Sequence, residues 1–291
     1  MGIGETLLLG LIAGGTIVLG LPTGRLRKPM PTLKILLNAV AVGILLFLVW
    51  DVLSAAWEPV DAALADLHGG TGGIAPIVGW GALFALGLAV GLLGLVGYDR
   101  YMARQAAARG GRGGPGAMST AERPMPLRGV AAWSPARRLA LLIAVGIGLH
   151  NFAEGLAIGQ SAAQNAVALA TLLVIGFALH NATEGFGIVA PLAGDLDRDG
   201  TARRPSWGFL LAMALIAGGP TFVGTAVGRG FVSEQVSVVF LTLAAGSIIY
   251  VVCQLLGVAA RAKRMDLLAY GLLIGLLAGF ATDAIVTAAG V

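Results

Sequence analysis

The chain contains a single cysteine, Cys253, in 291 residues. That excludes an internal disulfide framework and any zinc site built on a Cys-x-x-Cys pair. Charge is scarce too: Asp, Glu, Lys and Arg make up 12% of the chain, about half the share usual in a soluble domain. So little charge cannot cover a water-exposed surface of this size. A water-soluble enzyme, a nucleic-acid-binding module and a disordered chain are thereby excluded. Histidine is scarce, three in all, so the positions of those three carry weight. What is abundant is apolar or small: 57% of residues are hydrophobic, 45 are glycine, and the mean hydropathy is +0.87. The fold class expected is an all-α polytopic membrane protein.

Apolar runs fall at about 5–22, 34–54, 74–97, 139–160, 166–190, 206–228, 236–259 and 267–288. Each is long enough to cross a bilayer as a helix, and the ten-residue alternation of a membrane strand is missing. The first run has no basic stretch before it and no small-residue cleavage pattern, so it reads as a span rather than a signal peptide. Eight spans in one domain over 1–291 are expected.

The 19 Lys and Arg support that count. The first, third, fifth and seventh loops carry four, eight, three and three of them, and the other side of the chain carries only Arg229. Basic loops stay cytoplasmic, so both termini are expected outside. The net charge of +4 is then an orientation signal with a possible lipid-headgroup contact, and implies no nucleic-acid partner. The longest loop, about 99–137, has the Gly-Arg-Gly-Gly-Pro composition of a flexible basic tether around 110–116. Glycines four apart inside the spans (Gly87 and Gly91; Gly224 and Gly228; Gly271, Gly275 and Gly279) predict close helix packing.

Ionisable groups inside a membrane need a partner or a water path. Span four contains His150-Asn151-Phe152-Ala153-Glu154-Gly155, and span five contains His180-Asn181-Ala182-Thr183-Glu184-Gly185. The His-Asn-x-x-Glu-Gly pattern therefore occurs twice, 30 residues apart, in consecutive helices joined by a short turn at 161–165. His and Glu four residues apart share a helix face. An antiparallel pair can bring two imidazoles and two carboxylates together, a donor set suited to Zn²⁺, Fe²⁺ or Mn²⁺. Asn151 and Asn181 lie one residue off that face and are candidates for an amide oxygen or a supporting hydrogen bond. A single His–Glu pair would equally serve as a packing device; its duplication favours a metal site.

Other polar residues carry weaker signals. Asp51 falls at the outer end of span two, and Asp283 within span eight is either a relay or a capped carboxylate. Cys253 and Gln254 in span seven read as core packing. Glu58, Asp61, Asp66 and His68 belong to an expected solvated outer loop, 55–73. Asp195-x-Asp197-x-Asp199-Gly200 copies the opening of a calcium loop, but position twelve is Ser206, so it reads as an Asp-rich turn.

With these boxes in these spans, the chain resembles the ZIP family of divalent-metal transporters, as a bacterial-type member. The resemblance rests on the two boxes, the eight spans, the outward termini and the long third loop. It implies a 3+2+3 arrangement with spans 1–3 and 6–8 as inverted repeats. It also implies a homodimer in the plasma or inner membrane, and metal movement into the cytoplasm. It assigns His150, Glu154, His180 and Glu184 as metal ligands, with Asn151 and Asn181 near a second position. The metal is then substrate rather than a permanent cofactor, zinc first, with iron, manganese and cadmium as alternatives. The family's proline before each Glu is Ala153 and Thr183 here. Span six has Gly219-Pro220 where many members have an acid before the proline, and span seven has Gln254-Leu255 in place of a His-Glu pair. These departures favour one metal over two. An intramembrane metalloenzyme and a metal sensor are the competing classes; His₂Glu₂ without HExxH argues against the first.

Overall fold

The computed structural model describes residues 1–26, 31–110, 130, 133–164, 167–195, 203–230 and 233–288. Among them there is no strand, and eight helical segments are long and apolar enough to cross a membrane. They are α1 (Ile3–Gly15, continued by short 3₁₀ turns to Arg25), α2 (Pro31–His68), α3 (Ile74–Gly110), α4 (Pro135–Ala163), α5 (Val167–Val189), α6 (Trp207–Gly228), α7 (Glu234–Arg261) and α8 (Met265–Ala288). Local chemistry sets the starts. The Glu5 carboxylate accepts from the Gly2 N–H at 3.0 Å, Ser134 Oγ from the Arg137 N–H at 3.3 Å and Ser206 Oγ from the Phe209 N–H at 3.1 Å. Pro135 at the first turn of α4 costs no hydrogen bond there.

Two helices outrun their apolar spans. The expected outer loop 55–73 is helical as far as His68, so Glu58, Asp61, Asp66 and His68 ride on α2. Ala56, Val60 and Ala63 are buried along one stripe, and the Trp57 ring meets Phe84 of α3 edge-on at 4.9 Å. That packing outweighs the single backbone hydrogen bond lost at Pro59. The reversal is confined to Gly69–Gly73, where the Asp66 carbonyl accepts from Thr71 and Gly72 and Gly70 takes φ +73°. Likewise α3 continues to Gly110, shortening the expected loop 99–137. Residues 111–129 and 131–132 of that tether lie outside the described residues, as do Asp197, Asp199 and Gly200.

Glycine seams fix how the helices meet. The most extensive contact is α4 on α6. A Cβ on Gly155 would fall 2.8 Å from the Thr225 nitrogen and closer still to the Thr221 carbonyl oxygen, and one on Gly159 would fall 2.7 Å from the Arg229 nitrogen. From the other side, Gly224 and Gly228 abut the Phe152 and Leu156 carbonyls. Gly14 and Gly218 do the same between α1 and α6, and Gly20 and Gly185 between the end of span one and α5. The remaining seams are Gly43 with Gly275 (α2 on α8) and Gly91 with Gly246 (α3 on α7). Backbone therefore meets backbone within two sets, α1/α4/α5/α6 on one hand and α2/α8 with α3/α7 on the other. α2 also packs on α7, and α4 meets α7 through Ser247 Oγ, which donates to the Gly146 carbonyl at 2.9 Å. Outward faces are apolar, as at Leu86, Leu93, Leu277 and Ile285, the surface lipid requires.

Arg229 ties the far ends of α1 and α6. Its guanidinium donates to Thr6 Oγ1 at 2.7 Å and to the Met1 carbonyl at 2.9 Å. Replacing it by Ala removes hydrogen bonds from a charged donor, a loss of about 1.5–3 kcal/mol. The expected result is amide exchange in the first turns of α1 about tenfold faster or more, read by hydrogen–deuterium exchange. Unchanged exchange there would refute the clamp.

Candidate metal centre

The two boxes sit in the interiors of α4 and α5, whose antiparallel packing brings them to one level. His150, Glu154 and Glu184 are essentially buried, and the His180 side chain is 11% exposed. Glu154 is the hub. Its Oε1 lies 2.7 Å from His150 Nε2 and 2.5 Å from His180 Nε2. Glu184 Oε1 is 4.0 Å from His150 Nε2, and the two imidazole centroids are 5.8 Å apart. Ligand atoms of His150, His180 and Glu184 lie within 4.8 Å of one another, a cluster that a small contraction around one ion would close.

The hydrogen-bond ledger of this cluster suits it to a cation. Both Glu184 oxygens and Glu154 Oε2 are buried with no hydrogen-bond partner. Unpaired carboxylate oxygens in a low-dielectric interior are costly, and a divalent cation between them would remove that cost. Zinc at such a site takes imidazole nitrogen and carboxylate oxygen at about 2.0–2.2 Å.

The rest of each box holds the two helices in place. Asn151 Nδ2 donates to the Ala217 carbonyl of α6 at 2.9 Å, and Asn181 Nδ2 donates to the Ala13 carbonyl of α1 at 3.1 Å. Gly155 lies against α6, and Gly185 lies against the chain just past α1. Each box thus performs the same operation on a different neighbour: Asn and Gly dock the helix, His and Glu face the cluster. The Asn151 and Asn181 Oδ1 atoms are buried and unpartnered, so each amide retains an unused acceptor.

Residues outside the boxes fall differently from expectation. Asp51 lies well inside the extended α2, with its charge in electrostatic reach of His150, His180, Glu154 and Asp283. Sequence reading placed it at a span end because α2 was cut short at 54; the apolar stripe 56–63 was the signal that could have corrected this. Cys253 is exposed on α7, not core. Gln254 donates to Tyr250 Oη at 2.8 Å, away from the boxes, while its neighbour Leu255 is fully buried. Asp195, first residue of the expected Asp-rich turn, is buried, and its carboxylate lies 3.4 Å from Arg137 Nε.

With this geometry in view, comparison with known proteins is direct. The family model for the ZIP zinc transporter matches residues 119–287, more than half of the chain and both boxes. The chain belongs to the ZIP family. Among its relatives is a zinc transporter ZupT of Salmonella heidelberg (strain SL476), 30% identical over 160 residues, covering 55% of this chain and 51% of that protein. The ZupT of Escherichia fergusonii matches to the same extent, and that of Salmonella paratyphi A is 31% identical over 163 residues with the same coverage. The match spans about half the length of these curated relatives.

Within the ZIP frame the departures acquire a structural meaning. Ala153 and Thr183 stand where the family's prolines were expected, and α4 and α5 run through both boxes as unbroken helix. Thr183 Oγ1 donates to the His180 carbonyl at 2.7 Å, occupying a backbone acceptor within the box. On α6, the buried residues flanking Gly219-Pro220 are Ala217, Gly218 and Thr221, none of them a carboxylate.

Proposed function

We propose that this protein carries a divalent transition-metal cation, zinc first, across the inner or plasma membrane into the cytoplasm. It does so by alternating access through a single His₂Glu₂ centre made of His150, Glu154, His180 and Glu184. The observation that carries the reading is the convergence of two imidazoles and two carboxylates inside a membrane bundle with three carboxylate oxygens unpartnered. The relatives' description as zinc transporters supports the choice of cargo. Asn151 and Asn181 hold the ligand helices and keep an amide oxygen beside the metal.

Glycine seams support the motion. α1, α4, α5 and α6 interlock backbone to backbone and carry the ligands, so they move as one body against α2, α3, α7 and α8. The pairing of α2 with α8 and α3 with α7 is unchanged when spans 1–3 are exchanged with 6–8, which supports a 3+2+3 arrangement of inverted repeats. The one-sided basic loops support outward termini, and the family resemblance supports delivery to the cytoplasm. A potential negative inside drives a full divalent charge inward by about 4–5 kcal/mol per 100 mV. A homodimer is the assembly we assign.

The test is time-resolved uptake of Zn²⁺, Fe²⁺, Mn²⁺ and Cd²⁺ into proteoliposomes, with His180→Ala and Glu184→Ala in parallel. Saturable flux that either change abolishes is expected. Wild-type protein that binds metal but passes none would overturn transport in favour of a sensor.

A further inference from the structure

The metal centre leaves unexplained a cavity of about 800 Å³ at the basic-loop end of the bundle. Its walls are mainly aliphatic. Leu37 of α2 and Val258 of α7 face it from one side, and Leu139 of α4 and Val189 of α5 from the other. Packed interiors leave few voids larger than a water molecule, and this one is as large as a small-molecule site, about 300–1,000 Å³. Apolar walls of that extent call for an occupant with an apolar chain.

The same lining carries unpaired positive charge. Lys34 opens the apolar run 34–54 and Arg261 ends α7, and both line the cavity. Span ends are where helices meet lipid phosphates. Among the described residues, neither Lys34 nor Arg261 makes an ion pair or a hydrogen bond. Asp195 also lines the space, but Arg137 stands 3.4 Å from its carboxylate, so the two cations leave the lining positive. Ser134 adds a donor. Its Oγ accepts from the Arg137 N–H at 3.3 Å, which leaves its own O–H to donate.

We propose that this cavity binds an anionic phospholipid from the leaflet on the basic-loop side. The phosphate sits with Lys34 and Arg261 and accepts from Ser134, while an acyl chain fills the aliphatic space. A soluble phosphate would answer the two cations and leave the walls unfilled. A zwitterionic lipid would fill the walls and bring a cation of its own toward Lys34 and Arg261. An anionic phospholipid meets both demands. Because α2 and α7 form one side of the cavity and α4 and α5 the other, the lipid touches both helix sets. The inference goes beyond the transport reading and holds whether or not the protein moves metal.

The test titrates the delipidated full chain, in an uncharged detergent, with phosphatidylglycerol or with phosphatidylcholine of the same chains, read by native mass spectrometry. Phosphatidylglycerol should bind about 30-fold more tightly, the scale of two basic groups beside an anionic lipid. Lys34→Gln with Arg261→Gln should erase that preference. Arg100→Gln with Lys263→Gln removes the same charge from exposed positions outside the cavity and should leave the preference intact. Ala262→Trp fills the cavity from its lining without touching a charge, and should weaken phosphatidylglycerol binding about tenfold or more. Inorganic phosphate and glycerol phosphate should not displace the lipid. Size exclusion checks that each variant is folded. Equal affinity for the two lipids, or equal losses in the two charge-removing pairs, would overturn the site in favour of a general surface attraction. Wild-type binding in Ala262→Trp would place the lipid elsewhere, and displacement by free phosphate would make the ligand a soluble anion.

Discussion

Changing Glu154 to Gln is expected to lower zinc affinity by at least about 100-fold, beyond the 10–100-fold typical of losing a mere supporting partner, and to reduce uptake to background. The substitution keeps the shape of the side chain and removes only its charge and half of its acceptor capacity. Glu154 is the one residue whose carboxylate touches both imidazoles, at 2.7 and 2.5 Å. A glutamine would leave two imidazoles and Glu184 around a site that has lost half its negative charge, and its amide would present a donor where a metal needs acceptors. Isothermal titration of purified protein reads the affinity, and Co²⁺ absorption reads whether the geometry persists. An affinity within about threefold of wild type would show that Glu154 orders the cluster without binding the ion.

The second large effect is steric. Gly155→Ala adds one methyl group next to Glu154, and that group has nowhere to go. It would lie 2.8 Å from the Thr225 nitrogen and 2.9 Å from the Thr221 carbonyl carbon, both backbone atoms of α6 that no side-chain rotation can move aside. Overpacking of this kind costs about 1–3 kcal/mol, and rigid backbone neighbours place it near the upper end. The whole α4–α6 seam must part, which tilts His150 and Glu154 away from α5. Thermal unfolding in detergent should fall by several degrees or more, with uptake falling in step. Gly257→Ala is the matched control: nothing lies within 4 Å of its Cβ position, so helix propensity alone predicts stabilisation of about 0.5–1 kcal/mol. Equal effects of the two changes would refute the seam.

The parts of this molecule legible in the sequence are those whose cause is local. A run of apolar residues needs no knowledge of its neighbours to be a span, and His and Glu four apart share a helix face wherever that helix ends up. Seams such as Gly275 against Gly43 were legible as small residues at helical spacing, though not which helix each would meet. The destinations of Asn151 and Asn181 were hidden for another reason. Their partners are the backbone carbonyls of Ala217 and Ala13, and a carbonyl has no sequence signature. Asp195 was legible as a turn residue but not as a buried neighbour of Arg137, which belongs to a different helix. α2 was cut short because Pro59 and four ionisable residues look like a loop until Trp57 finds Phe84. In each case the missing information was a contact between distant segments, and the polar groups most dependent on such contacts were the ones misplaced.

The most direct measurement of the central claim is an anomalous difference map at the zinc edge from crystals of the full chain grown with Zn²⁺. The account predicts a peak between the imidazoles of His150 and His180 and the carboxylates of Glu154 and Glu184, at about 2.0–2.2 Å from its ligands. It also predicts that the peak disappears in Glu154→Gln. A strong peak elsewhere with this cluster empty, or a peak that survives the loss of Glu154 unchanged, would contradict it.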